Sequence, residues 1–352
     1  MPEPLIVAVP REIMPCEGRV PIFPDTIPLL KKAVTERRIK FVVEEGLGRS
    51  LGIKYQYWRP EAMVARDKDI LYRAADIVLK VKQPFPEEIE FYREGQGLIC
   101  FPHVHANKET VGKLLAKGVK ILPYEYYPTR HDPHILSTMS REAGHRIVDL
   151  LNEHQGRTWR NTHIFFGGAR GVVCRHAIAA ALEAGVPTSK IHAFDIVSGL
   201  FKDPESGATY ETLSTEDSGA LEKALKKCGI LVLAAVTKGF GAPKFLKRSH
   251  LEFLPNDAFI LQVSIDEGGN IDDEEFCQLT FGHKPIYTVV RGITGLLWSK
   301  PRRITVCNLP DIPGIIRPEE SSRSLINASF PYLVEILQTW PDVPDKYLVK
   351  IF

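Results

Sequence analysis

The chain has 352 residues, 44% of them hydrophobic and 25% charged, with a formal net charge of +2, the composition of a globular protein long enough for two domains. Near-neutral charge gives no ground for a nucleic-acid or membrane-surface partner, and no apolar run reaches membrane-spanning length, nor does a basic-then-apolar leader open the chain. The six cysteines (Cys16, Cys100, Cys174, Cys228, Cys277 and Cys307) form no C-x-x-C pair and read as reduced, packed thiols of a cytoplasmic protein.

Residues 5–9 (LIVAV) form a buried strand closed by Pro10, followed by the polar loop that carries Arg19. An amphipathic helix over 26–37, capped by Asp25, leads to a strand over 39–43. Further strands are expected at 75–82, 97–104 and 119–126, with a helix over 107–117 between the last two. Strands alternating with helices imply a parallel sheet covered on both faces. The pattern 140–154 (SREAGHRIVDLLNEH) is a helix that starts at Ser140.

The stretch 163–195 reads as strand, glycine turn, helix and second strand. Its strand is 163–166; Gly167, Gly168 and Gly171 crowd the turn; the helix former 177–184 stops at Gly185; and 191–194 returns as a strand with Asp195 at its end. Such a unit lets amides at a helix N-terminus face a pyrophosphate, while the acidic residue accepts hydrogen bonds from a ribose diol. Asp195, with no arginine expected nearby, favours NAD over NADP. The glycine spacing is irregular, because Cys174 stands where a third glycine is usual. An ordinary crossover whose glycines merely turn the chain is the competing reading.

Strands at 229–235, 258–264, 285–290 and 304–309 continue a doubly wound sheet, and 199–210 reads as a long polar loop outside it. A helix over 321–340, kinked at Pro331, returns to the first domain.

Open parallel sheets place ligands beyond the carboxyl ends of their strands. Lys82, His103 and Glu125 fall at such ends, with Arg19 in the loop after the first strand. A lysine, a histidine and an arginine there can bind a carboxylate, polarise a carbonyl and move a proton. Against this, Lys80 and Lys82 share one strand face and read equally well as solvated, and His103 with His105 as structural. A metal reading of His103, His105, His131 and His134 is weak, because no carboxylate or cysteine falls at a ligand spacing, and no metal is expected. Asp266 follows a strand directly and either faces the ligand or caps the turn at Gly268 and Gly269.

Seven segments, in this order, resemble the family of alanine dehydrogenase, lysine-forming saccharopine dehydrogenase and the related transhydrogenase domain. They are EGRVPIFP from Glu17, ADIVLKVKQP from Ala75, EGQGLICFPHVHA from Glu94, TMSREAG from Thr138, GFGAPKFL from Gly239, VSIDEGG from Val263, and NLPDIPG with SLINASFPYLVEI from Asn308. The resemblance spans nearly the whole chain. It implies two Rossmann-like, doubly wound parallel-sheet domains separated by a cleft: a substrate domain of residues 1–138 plus 318–352 and an NAD-binding domain of residues 139–317.

By matching position, the resemblance implies that Arg19, Lys82 and Glu125 bind the substrate. Lys82, His103 and Asp266 would carry the chemistry, with His103 moving the proton. Ser140, Gly168, Arg170, Gly171, Asp195, Ile196, Val236 and Asn308 would line NAD. A neutral His103 with its pKa lowered by Lys82 would suit a base. The glycine turn looks like saccharopine dehydrogenase, whereas SIDEGG and NLP look like alanine dehydrogenase. The favoured activity is NAD-dependent oxidation of a secondary amine of the saccharopine or opine type. Deamination of a primary amino acid, a non-catalytic NAD-binding transhydrogenase-like protein and a cyclodeaminase-like lyase stay open, as does a homo-oligomer.

Overall fold

The computed structural model describes residues 3–129, 134–237, 241–280, 284–291 and 302–350. The chain divides into two units, Met1–Met139 with Pro313–Phe352, and Ser140–Ile312.

In the first unit the strands are β1 (Leu5–Val9), β2 (Ile39–Glu44), β3 (Ala62–Ala65), β4 (Ile77–Lys82), β5 (Gly97–Phe101) and β6 (Lys120–Pro123). Among the described residues they form one parallel sheet ordered β3-β2-β1-β4-β5-β6. β1 and β5 are unbroken apolar runs, and β4 is buried throughout although it carries Lys80 and Lys82, because both faces of the sheet are covered. The order reverses between β1 and β4, and at such a switch point the loops part and leave a crevice.

Helix α1 (Ile27–Ala33) is shorter than its pattern, because the β-branched Val34 turns extended and buries itself in the core. Its cap also differs from expectation: Thr26 takes the cap position, and the Asp25 carboxylate pairs instead with Arg323 at 2.8 Å. Short helices α2 (Tyr55–Trp58) and α3 (Lys68–Ala74) and strand β3 were not read from the sequence, although Asp67 caps α3 by accepting from the Asp69 and Ile70 amides. Helix α4 (Lys108–Ala116) lies within its expected range.

Helix α5 runs His134–Gln155, starting six residues before Ser140. Its first turns bury Ile135 and Met139 in the first unit's core, an apolar spacing of four.

The second unit repeats the plan with β7 (His163–Gly167), α6 (Val172–Glu183), β8 (Ile191–Asp195), β9 (Gly199–Lys202), β10 (Thr209–Ser214), α7 (Ser218–Leu225) and β11 (Cys228–Leu233). β12 (Leu246–Lys247) pairs with β14 (Ile271–Asp272) as a small separate sheet. β13 (Ala258–Gln262), β15 (Tyr287–Arg291) and β16 (Arg302–Cys307) complete the main sheet, ordered β15-β16-β13-β11-β7-β8-β10-β9. The two edge strands, β15 and β9, are antiparallel, and the parallel core between them has the same strand order as the first unit.

Residues 199–210 are therefore not a loop outside the sheet. They begin a hairpin that extends it, with the hairpin turn tied down where Arg175 and Ser206 both donate to the buried Asp203 carboxylate.

Helix α8 (Ile312–Ile315) precedes α9 (Pro318–Thr339), which continues unbroken through Pro331. α9 buries Leu325, Tyr332, Leu333 and Ile336 in the same core as Val7 and Leu79, so the C-terminal segment completes the first unit. No described helix is long and apolar enough to cross a membrane, and none of the six cysteines forms a disulfide.

Candidate active site

In the first unit Lys82 is the last residue of β4, and Arg19, His103 and Glu125 lie in the segments after β1, β5 and β6. Arg19 is buried. Glu17 grips its guanidinium with both carboxylate oxygens, at 2.9 Å from Nε and 2.6 Å from Nη2, and Nη1 lies 3.6 Å from the Met139 sulfur. The pairing with Glu17 was not foreseen, although the i, i+2 spacing of EGR allows it. Beside this loop is a cavity of about 140 Å³ whose lining includes Arg11, Glu12, Glu17, Arg19, Arg49 and Ser50.

His103 has φ +44°, a left-handed backbone conformation that costs a non-glycine residue about 1–2 kcal/mol. Two contacts hold it there. Its amide donates to Glu125 Oε1 at 3.0 Å, and its ring stacks on Phe101 with centroids 6.1 Å apart. Nδ1 lies 3.7 Å from the same Glu125 oxygen. Burial, then Lys82, then Arg19 hold the His103 pKa down at about 3, so the ring is neutral at physiological pH. The direction is the one expected, but desolvation is the larger cause. Glu125 thus serves as a hydrogen-bond acceptor for the His103 backbone.

The two lysines of β4 are not on one face. Leu79 pairs with Ile99 and Lys82 with Phe101, so three residues of β4 oppose two of β5 across a bulge. The bulge puts Lys82 on the side of Leu79, Phe101 and His103, while Lys80 is fully buried on the other side between Glu12 and Glu88. Lys80 is therefore not solvated. Burial works against its ammonium, yet the two carboxylates raise its pKa above the usual value and keep it charged. Of the four histidines weighed for a metal, His131 lies outside the described residues, as do Gly239 and Phe240 of GFGAPKFL.

In the second unit Gly168 has φ +83°, and a Cβ there would stand 2.7 Å from Ala235 Cα, so only glycine fits between the first strand end and the loop after β11. Gly171 is the N-cap of α6 and brings no side-chain cap, which leaves the first-turn amides to a ligand. α6 starts at Val172, five residues before the strong helix formers. Cys174 fills the third-glycine position, buried, with its thiol 3.4 Å from the Gly167 carbonyl. Gly144 of α5 has a related job: a Cβ there would meet the Val173 carbonyl at 2.4 Å.

Asp195 ends β8 and accepts from the Arg170 amide through Oδ2 and from the Ile196 amide through Oδ1, each at 2.8 Å. An arginine is near after all. The Arg170 guanidinium, however, donates to Thr212 Oγ1, Ser198 O and Gly199 O and lies over the Phe201 ring, so the hairpin holds it.

Ile196 and Val236 are exposed at the ends of β8 and β11, 76% and 51% respectively. Ser140 lies inside α5 rather than capping it. Asp266 sits in the turn before Gly268 and Gly269, both of positive φ. Asn308 is fully buried, and its side-chain nitrogen, donating to Phe276 O and Gln278 O, ties those segments together. Asn270, not anticipated, does the same for the loop at Gly168, exchanging hydrogen bonds with both backbone polar groups of Ala235.

Two parallel-core units, one with a glycine turn opening a capless helix and an acidic residue closing the next strand, define an NAD-binding oxidoreductase. The chain belongs to the alanine dehydrogenase/PNT family: the family's N-terminal domain matches residues 8–143 and its C-terminal domain residues 159–343.

The chain is 26% identical over 346 residues to an alanine dehydrogenase of Mycolicibacterium smegmatis, covering 94% of this chain and 87% of that one. It is 26% identical over 352 residues to an alanine dehydrogenase of Mycobacterium tuberculosis, with the same coverage. Among solved structures, an L-alanine dehydrogenase shares the fold at a TM-score of 0.73 and 22% identity, over 98% of this chain and 94% of that one. A transhydrogenase from Sinorhizobium meliloti does so at 0.70 and 22%, over 95% and 94%.

Proposed function

We propose that this protein is an NAD-dependent dehydrogenase that oxidatively deaminates a small primary amino acid, and aminates the 2-oxo acid in reverse. The relatives named alanine dehydrogenase support this substrate over the secondary amine that the motifs favoured. The observation that carries the reading is the bulge in β4, which sets Lys82 on the side of a neutral His103.

Gly168, Gly171, the first turn of α6 and Asp195 would hold NAD, which supplies the hydride acceptor. The residues fit it: the turn at Gly168 admits no Cβ, and both Asp195 oxygens keep a lone pair for a ribose diol. Arg19, backed by Glu17, receives the substrate carboxylate. Lys82 holds the carbonyl or carbinol oxygen. Neutral His103 takes a proton from the water that adds to the substrate iminium and returns it as ammonia departs. Asp266 supports the reacting nitrogen.

The test is a panel: L-alanine and other small amino acids with NAD, and 2-oxo acids with ammonia or amino acids as nitrogen donor with NADH. Turnover with ammonia as donor supports the reading. Turnover with an amino-acid donor alone restores the secondary amine, and tight NADH binding without turnover overturns the enzyme. Asp195→Ala is expected to raise KM for NAD by about tenfold and to admit NADP, because the carboxylate that repels a 2′-phosphate is gone. Unchanged KM for both coenzymes would remove Asp195 from the site.

A further inference from the structure

The buried cluster Glu12–Lys80–Glu88 holds no group assigned to the reaction and meets the candidate site at the backbone of Lys82. The geometry points to Glu12 as the positioning residue of Lys82: it clamps the bulge of β4 that turns this lysine to the His103 side, and buried Lys80 tethers the clamp.

Side chains of a regular strand alternate, so Lys80 and Lys82 would share a face without the bulge. A bulge reverses that relation but leaves amides without ladder partners. Glu12, from the loop after β1, takes up both of them. Its Oε1 accepts from the Val81 amide at 2.6 Å and from the Lys82 amide at 3.4 Å. Its Oε2 lies 3.5 Å from Lys80 Nζ.

Lys80 is held from the other side by Glu88, at 2.9 Å to Oε1 and 3.2 Å to Oε2. Glu88 in turn accepts from Tyr72 Oη at 3.0 Å and from the Phe85 amide at 3.0 Å. Buried charges persist only when paired and hydrogen-bonded, and this network meets that condition at each step. Burial raises the Glu12 pKa against the pull of Lys80, so the carboxylate is kept in place at a cost in charge solvation. Lys80 itself has no exposed surface and no route to substrate. The cluster shapes the strand end.

The inference rests on Lys82 acting on the substrate as proposed above. Glu12→Ala is expected to lower kcat on the order of 100-fold, the loss typical of a catalytic group displaced by about an ångström, with KM for NAD unchanged. Glu12→Gln, which keeps an oxygen acceptor for the Val81 amide, is expected to restore kcat to within about fivefold of wild type. Wild-type kcat in Glu12→Ala, or a glutamine variant as impaired as the alanine one, overturns the proposal.

Should Glu12→Ala not fold, the paired apolar replacement Lys80→Met with Glu88→Leu removes the tether while keeping the volume. It is expected to lower kcat about tenfold, again with KM for NAD unchanged. An unchanged kcat overturns the tether.

A readout independent of turnover separates this inference from the function. Acetic anhydride labelling of Lys82, followed by peptide mass spectrometry, is expected to speed up about tenfold in Glu12→Ala as the strand end opens. If the panel finds no amino-acid turnover, the proposed function fails while the labelling rate still decides the clamp. An unaltered rate sinks it.

Discussion

Replacing His103 by glutamine is expected to lower kcat for deamination by about 10³-fold while leaving KM for NAD within a factor of about two. Glutamine keeps hydrogen-bonding capacity and size but cannot take a proton. The pH dependence is the sharper test. Lys82 and Arg19 both hold the His103 pKa down, after burial. A bound substrate carboxylate offsets that positive charge, so the pKa rises in the complex. The acid limb of kcat should therefore lie at higher pH than the acid limb of kcat/KM. Coincident limbs would show that Arg19 and Lys82 do not meet the substrate carboxylate.

The same residue links pH to stability. Its folded pKa of about 3 lies below the ordinary value of 6.5. Between these values the unfolded chain binds more protons than the folded one, so stability falls as pH drops through that window. His103→Gln should flatten this part of the profile, measured by denaturant unfolding at pH 7 and pH 5. A slope as steep as wild type would mean that His103 is already protonated in the native state.

Lys82→Met is the second large effect. Losing the ammonium proposed to hold the reacting oxygen is expected to lower kcat/KM by about 10²–10³-fold. It also removes one of the charges that depress His103, so the acid limb of the residual activity should move to higher pH. A structural lysine would give the first loss through misfolding, but not the second shift in a folded variant. Steady-state pH profiles of variants with wild-type melting curves separate the two.

Much of the fold was legible because parallel strands covered on both faces are mostly apolar. LIVAV, ADIVLKVK and GLICF announce themselves without reference to any partner strand. The edge elements were not legible. β3, with its exposed Met63, and the hairpin β9–β10, with its polar turn, are half-solvated, so their composition resembles that of a loop. Helix ends were misjudged where tertiary burial overrode local signals. Val34 left α1 to enter the core, and Ile135 drew α5 back beyond Ser140.

Of the candidate site, the residue types at strand ends were readable, since open parallel sheets gather ligands there. Their partners were not. Glu12 reaches Val81 across 69 positions of sequence, and Glu125 reaches the His103 amide across 22. The hydrogen bonds of buried Asn308 to Phe276 O and Gln278 O join it to segments that no local pattern places beside it.

The amino-acid sequence by itself determined the order of the buried core strands, the glycine turn before α6, the acidic end of β8 and the ionisable groups at strand ends. Those depend on local periodicity and on the conformations each residue tolerates. Only the tertiary structure decided that Lys80 is buried in an ion cluster while Lys82 turns to His103, that burial more than charge holds the His103 pKa down, and that Arg170 is held by a hairpin. Each of those follows from strand register, a single-residue bulge and desolvation, which arise when distant segments meet.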